Sequence, residues 1–349
     1  MNGNLMKAPL TQALLETVTS CPLCFSYDST HWTVGHDILH GLTDLPFEYV
    51  RCNNCTLIYA RERIPAELIG SYYPEEYDPY KNSDEIERQL PKVDSPEIQD
   101  YVRKNSSNAK LHKKLKKWLS RIFPDHLEPF LSSLLFRQKE GNKTLLDFGC
   151  GSDSYLNLAR KAGWSTIGMD FSEKAILSVQ SSGHKGILYQ SEDAWNEIDN
   201  DSIDLIRMNH VIEHIFEPRK LLAQLRSKLK SNGILYLSTP NAGGYSATKY
   251  KNHWRGLECP RHVILYSPST LTTLLKESSF SDIKIIHEEN PKDAIRSKAY
   301  SAFAETPIAS EEIERLPNKR NLFLRSSLYS KLNAIIRKGD RIHAYCTKN

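Results

Sequence analysis

Two hydrophobic periods alternate along the second half of this chain. Short apolar runs of strand length are separated by stretches with helical spacing, the pattern of a parallel sheet with crossover helices. Leu145–Phe148 predicts a buried strand that turns sharply into a helix beginning around Ser154. A second strand, Trp164–Met169, ends on Asp170. Ser172–Ser182 reads as a helix opened by a serine cap with Glu173 behind it. A short third strand lies at Ile187–Tyr189 and a fourth at Ile203–Asn209. A helix over Pro218–Lys230 is expected to end at Gly233, and Ile234–Ser238 is the fifth strand. Ser269–Ser279 predicts another helix, Ile283–His287 a strand, and Arg341–Cys346 alternates like an edge strand. The sheet has no need of residues 290–339, which read as a helical insertion. The fold class expected is a doubly wound, mostly parallel, seven-stranded α/β sheet over residues 141–349.

The first 140 residues follow a different plan. Residues 1–20 read as a short helix or frayed end. Cys21-Pro-Leu-Cys24 and Cys52-Asn-Asn-Cys55 are two Cys-x-x-Cys knuckles separated by 27 residues. Each knuckle turns its thiolates toward one point, so Cys21, Cys24, Cys52 and Cys55 together suit a structural Zn²⁺ with no open coordination position. His31, His36 and His40 lie between the pairs and read as ordinary loop histidines. Residues 1–70 are therefore expected to form a small zinc ribbon. Residues 71–140 read as a linker and helical region, in which Ser71-Tyr72-Tyr73-Pro74-Glu75-Glu76-Tyr77 is broken by proline. Within it, residues 103–123 carry Leu111, Leu115, Trp118, Leu119 and Ile122 at helical spacing among basic residues. That helix could touch an anionic membrane surface or nucleic acid, or simply pack on the main domain with a solvated lysine face.

Composition narrows the class. Of 349 residues, 40% are hydrophobic and 25% charged, ordinary for a globular protein, and a net charge of +4 is too small to imply nucleic acid. No apolar run approaches a membrane span and the N-terminus has no signal-peptide pattern. Seven cysteines, four of them in tight pairs, point to metal in a reducing, cytoplasmic setting.

The chemistry centres on Asp147-Phe148-Gly149-Cys150-Gly151-Ser152-Asp153. No Lys-Ser/Thr follows, so this is not a phosphate-gripping P-loop, and Asp153 replaces the third glycine of a dinucleotide fingerprint. An acid at the tip of the second strand, Asp170, is the usual partner of ribose hydroxyls. A nucleoside ligand without pyrophosphate fits this pattern. Further pieces follow in order: Gly168-Met169-Asp170, Ile203 to His214, Asn232-Gly233-Ile234-Leu235, Ser238-Thr239-Pro240-Asn241 and Pro260-Arg261-His262. Over Thr144–Ser281 the chain resembles class I S-adenosylmethionine-dependent methyltransferases, many with a zinc-binding N-terminus. The resemblance implies a Rossmann-like sheet with S-adenosylmethionine as cofactor.

It also implies roles. The Gly149 and Gly151 backbones should approach the cofactor's methionine portion, with Asp147 positioning its ammonium; Asp170 should take the ribose. Glu192 or Asp193 should face the adenine, and Asn209 should line the methionine end. His262 and His210 are the candidate bases, because neutral imidazole suits proton removal near neutral pH. Arg261 should either pair with an anionic substrate or brace its loop, and Trp254 with residues 245–250 could form an aromatic wall. His210-Val-Ile-Glu213-His214 spells an inverted zinc-protease pattern, but it follows a buried strand where a protease needs a long helix. If it turns helically, His210, Glu213 and His214 could hold a divalent metal. The acceptor expected is a small molecule, above all a sugar, nucleotide-sugar or lipid-linked sugar, since proteins of this resemblance are linked with polysaccharide assembly. RNA methylation and an inactive scaffold are the alternatives; nucleic acid is disfavoured because no base-amine motif follows the fourth strand.

Overall fold

The structure, a computed structural model, describes residues 14–74, 96–106, 143–288, 290–306 and 308–349. The N-terminal strands are β1 (Glu16–Thr17), β2 (Ser29–Gly35), β3 (Phe47–Cys52), β4 (Ile58–Ala60) and β5 (Glu62–Arg63). They are followed by α1 (Ala66–Ile69) and α2 (Pro96–Ser106). The main sheet begins with β6 (Thr144–Phe148), α3 (Ser154–Lys161), β7 (Ser165–Asp170), α4 (Glu173–Ser181), β8 (Lys185–Leu188) and β9 (Ile203–Asn209). It continues through α5 (Pro218–Lys228), β10 (Leu229–Pro240), α6 (Tyr245–Tyr250), β11 (Ile264–Leu265), α7 (Pro268–Glu277) and β12 (Phe280–Glu288). Last come α8 (Pro291–Ala302), α9 (Ser310–Arg315), α10 (Arg320–Ile335) and β13 (Arg341–Lys348).

Seven strands pair in the order β12-β13-β10-β9-β6-β7-β8. β10, β9, β6, β7 and β8 run parallel, and β13 is antiparallel to both its neighbours. This is the expected doubly wound, mostly parallel, seven-stranded α/β sheet. Leu145 and Leu146 in β6 and Ile206 in β9 are fully buried, as strands covered on both faces require. Local signals set the helix starts: Ser172 accepts the Ala175 N–H, and Ser267 with Thr270 closes a capping box on α7.

Two boundaries differ from the sequence reading. α5 gives way at Leu229 directly to β10, so Gly233 is not a helix cap. It sits inside the strand, beside Asn232 at φ +61°, where the register with β9 shifts between Leu229 and Ile234. β13 is no edge strand. It lies between β10 and β12, and its polar His343 is met by Tyr236 Oη at 2.8 Å and Glu288 Oε2 at 2.7 Å, so its alternation reflects cross-strand partners, not solvent. Between β12 and β13 lie α8, α9 and α10.

The cysteine-bearing region is a four-stranded antiparallel sheet, β11-β4-β3-β2. Its last strand comes from residues 264–265, so it is completed from beyond the main sheet's fifth strand. One hydrophobic cluster runs from Leu23, Val50, Leu57 and Tyr59 to Leu146, Ile206 and Leu237, joining the two sheets through a shared core. The expected basic helix at 103–123 falls almost wholly outside the described residues. Among the described residues no helix is long and apolar enough to cross a membrane.

Candidate functional site

The glycine loop is built on left-handed backbone. Gly149 has φ +70° and Gly151 φ +63°. A Cβ on Gly149 would stand 2.4 Å from Val211 Cγ2, so the loop needs glycine there for space as well as conformation. Asp170, at the tip of β7, ties the loop down: Oδ2 accepts the Gly151 N–H and Oδ1 the Ser172 N–H, each at 2.8 Å. Burial raises its pKa. Each carboxylate oxygen has a second lone-pair position, so Asp170 retains capacity for ribose hydroxyls.

Asp153, in place of a third glycine, has work of its own. Its carboxylate accepts from Asn157 on α3 and from Ser178 and Ser182 of the neighbouring helix, locking α3 to α4. The helix starts at Ser154 without displacement.

Asp147 is fully buried and turned onto Arg207, whose Nη1 lies 2.8 and 3.0 Å from its two oxygens. Burial raises the Asp147 carboxyl while Arg207 opposes this. Asp147 thus sits in an internal ion pair with Arg207 of the neighbouring strand β9. Sequence reasoning missed Arg207, although a lone cation inside the apolar strand Ile203–Asn209 signals a buried counter-charge. Glu192 and Asp193 are exposed at the start of a 3₁₀ turn over 192–197. Glu192 meets Tyr189 Oη at 3.2 Å and Lys220 Nζ at 3.3 Å. Asn209 ends β9, half-buried and in register with Ser238.

His210, next in the chain, adopts φ +57°, and its N–H donates to Ser238 O at 2.9 Å. Its Nδ1 is 3.2 Å from Glu213 Oε1, whereas Nε2 is buried with no hydrogen-bond partner. Glu213 is fully buried and its Oε2 accepts from Thr239 Oγ1 at 2.9 Å. Burial alone would raise this carboxyl, but the His210 hydrogen bond and the nearby histidines hold it down at about 2. Burial, with some repulsion from His262, pushes His214 down to about 4.

The segment forms only a short 3₁₀ turn over 212–214, so His210 does not join the metal-like group expected for it. Instead Glu213, His214 and His262 converge, with candidate ligand atoms all within 4.8 Å of one another. His262 Nδ1 donates to Gly256 O at 2.8 Å, which leaves Nε2, 3.9 Å from Glu258 Oε2, to meet a proton or a cation. His214 Nδ1 sits 2.9 Å from Tyr73 Oη and 3.1 Å from Arg261 O. This trio could hold a divalent cation.

Of the two expectations for Arg261, the structure shows the brace: it is fully buried and pairs with Asp37 at 2.8 Å. Trp254 is not an aromatic wall but a core residue packed with Phe47 and Leu257. His262 is also buried, at 4% exposure.

At the N-terminal sheet, Cys21 Sγ lies 3.4 Å from Cys55 Sγ, and Cys24 Sγ 3.5 Å from Cys52 Sγ. All four sulfurs lie within 4.8 Å of one another, and none forms a disulfide. Tetrahedral Zn–S bonds of about 2.3 Å would set sulfurs about 3.8 Å apart, close to this arrangement. The two knuckles match: Phe25 and Thr56 have φ +60° and +66°, and their N–H groups donate back to Cys21 O and Cys52 O. The donor set fits Zn²⁺. His31 instead faces Glu48 at 3.1 Å.

Residues 76–285 match the family profile described as a methyltransferase domain. A ubiquinone biosynthesis O-methyltransferase of Glaesserella parasuis is 30% identical over 108 residues, which is 28% of this chain and 46% of that protein. A probable S-adenosylmethionine-dependent methyltransferase of Mycobacterium tuberculosis is 25% identical over 144 residues, 40% of this chain and 50% of the relative. The chain thus spans about half the length of these curated relatives. Among solved structures, a SAM-dependent methyltransferase from Archaeoglobus fulgidus is similar with a TM-score of 0.42 and 22% identity, covering 71% of this chain and 98% of that one.

Proposed function

Because the chain belongs to the methyltransferase-domain family, we propose that it moves a methyl group from S-adenosylmethionine to a small molecule. The acceptor class we propose is a sugar, nucleotide sugar or other glycan precursor, methylated at oxygen or carbon. The cofactor supplies an electrophilic sulfonium methyl when bound. Gly149 and Gly151 give it backbone without side chains to obstruct approach, Asp170 accepts ribose hydroxyls, and Asn209 lines the methionine end. Glu192 or Asp193 is left for the adenine.

The observation that carries the catalytic reading is the unpartnered, buried Nε2 of His210 beside the glycine loop's edge of the sheet. Glu213 accepts from Nδ1–H, and that bond leaves the lone pair on Nε2, ready to take a proton from an acceptor hydroxyl. Thr239 in turn fixes Glu213. His262, the other candidate from the sequence, is the alternative base. A second reading is favoured by the convergence of Glu213, His214 and His262, where a divalent cation would acidify the acceptor instead.

The test is mass spectrometry of a pool of sugar nucleotides and lipid-linked sugars incubated with the protein and methyl-labelled cofactor. A labelled product that disappears in His210→Ala, with cofactor affinity kept, supports the base. Loss of activity with EDTA and its return with Mg²⁺ favours the cation. No cofactor binding by calorimetry removes the enzyme reading and leaves a scaffold. Labelled RNA in place of sugar would move the substrate class to nucleic acid.

A further inference from the structure

A cavity of about 590 Å³ opens at the same edge of the main sheet, lined by Gly243, Ser269, Ile285, His287, Arg337 and Lys338 among others. Topology places it there. β10 and β12 both run antiparallel to β13, so both end at the edge that carries Gly149, Asp170 and His210. Gly243 follows the end of β10, and His287 lies one residue before the end of β12. The same strand, β10, carries Ser238, whose carbonyl accepts the N–H of the candidate base His210.

Its charge is one-sided. Among the described residues no carboxylate lines the cavity. Lys338 Nζ gives one hydrogen to Gly243 O at 3.3 Å, leaving two for a ligand. Arg337, exposed at the end of α10, makes no ion pair among the described residues. His287 Nδ1 is buried without a hydrogen-bond partner. Burial holds this imidazole below its ordinary value, and the charges of Arg337 and Lys338, which line the same cavity, push the same way. Two cations without a lining counter-charge, beside an imidazole and a serine hydroxyl, are complementary to the oxygens of a phosphoryl group.

We infer that this cavity is an anion subsite for the phosphoryl or diphosphoryl group of the methyl acceptor, with Arg337 and Lys338 as charged donors and His287 and Ser269 as neutral ones. The identity of the ligand as the methyl acceptor rests on the function proposed above. Nucleotide-linked and lipid-linked sugars share this chemistry.

Calorimetric titration of the whole protein with inorganic pyrophosphate at fixed ionic strength tests the site. Wild-type protein should bind, and Arg337→Gln/Lys338→Gln should bind at least about tenfold more weakly, as expected for losing a charge-assisted hydrogen bond. His287→Asn should weaken binding less, and S-adenosylhomocysteine affinity should stay within about twofold in all variants. Uridine diphosphate glucose and vesicles containing an isoprenoid diphosphate identify the source: the probe whose binding shows the same dependence on Arg337 and Lys338 is the acceptor type. Absence of pyrophosphate binding in the wild type, or equal affinity in the double variant, overturns the inference. If S-adenosylhomocysteine fails to bind while pyrophosphate binding still depends on Arg337, the subsite stands and the methyltransferase reading falls.

Discussion

Arg261 and Asp37, 224 positions apart in the chain, meet through Nη2 and Oδ1 at 2.8 Å with both side chains fully buried. Arg261 also donates to Tyr72 O at 3.1 Å. The pair fastens the segment carrying His262 to the loop after β2. Removing Asp37 takes a charge-assisted hydrogen bond from Arg261 but leaves Glu258 at 3.6 Å as a counter-charge, so Asp37→Ala should cost roughly 1.5–3 kcal/mol in urea unfolding. Asp37→Leu/Arg261→Met should recover most of that loss. A double variant no more stable than Asp37→Ala would show that the pair's value lies in its shape and hydrogen bonds.

Zinc should be present at one equivalent per chain, held by Cys21, Cys24, Cys52 and Cys55. Chelation should deprotect the amides of β2, β3 and β4 in hydrogen exchange before those of β6 and β9, since metal binding and local folding are coupled. Elemental analysis and exchange of Cys52→Ser check this. Zinc-free wild-type protein with unaltered exchange would sink it.

Gly149→Ala should abolish cofactor binding more completely than Asp170→Asn. The alanine methyl would sit 2.4 Å from Val211 on a backbone at φ +70°, so the loop must move. Asp170→Asn keeps the shape but loses a charged acceptor, a cost of roughly 1.5–3 kcal/mol in affinity. Because Asp170 also accepts two backbone N–H groups, Asp170→Ala should lower the melting temperature as well as the affinity. Calorimetry and thermal unfolding separate the two effects.

Asp340 provides a pH signature. Burial, partly offset by the Ser246 hydrogen bond, raises its carboxyl to about 7, and Oδ2 has no partner. The folded state then holds a proton that the unfolded chain releases near pH 4. The resulting stabilisation is full below about pH 4 and is lost as pH rises toward 7, at ~1.4 kcal/mol per unit. Asp340→Asn should therefore flatten stability over this window relative to wild type and be the more stable protein at pH 8. Parallel stability curves for the two proteins would refute the assignment.

The parts of this fold that could be read from sequence are those whose causes are local. Gly149 and Gly151 announce a left-handed turn, Asp170 a strand tip, and the cysteine spacing a metal knuckle. What could not be read depends on partners brought together by the fold. The polar His343 made β13 look like an edge because its partners Tyr236 and Glu288 are 107 and 55 residues away. Arg261 looked equally suited to a substrate or a brace until Asp37 arrived beside it. The HxxEH segment suggested its own metal group, but the ligand-like trio takes its third member, His262, from beyond β10. Asp153 looked like a defect in the glycine loop and is a strut between two helices.

The pairing of Ile264 with Tyr59 and of Leu265 with Ile58 makes the two sheets a stitched garment with a shared seam. The ribbon is no cassette to be clipped off or swapped for another. A chain trimmed to start at residue 143 would leave the 264–265 strand with an open edge. It would also strip Asp37 from Arg261 and take away Tyr49, whose hydroxyl holds His262 O at 2.8 Å. The region that looks most like an accessory is thus the back wall of the histidine cluster, and a minimal version of this protein must keep it.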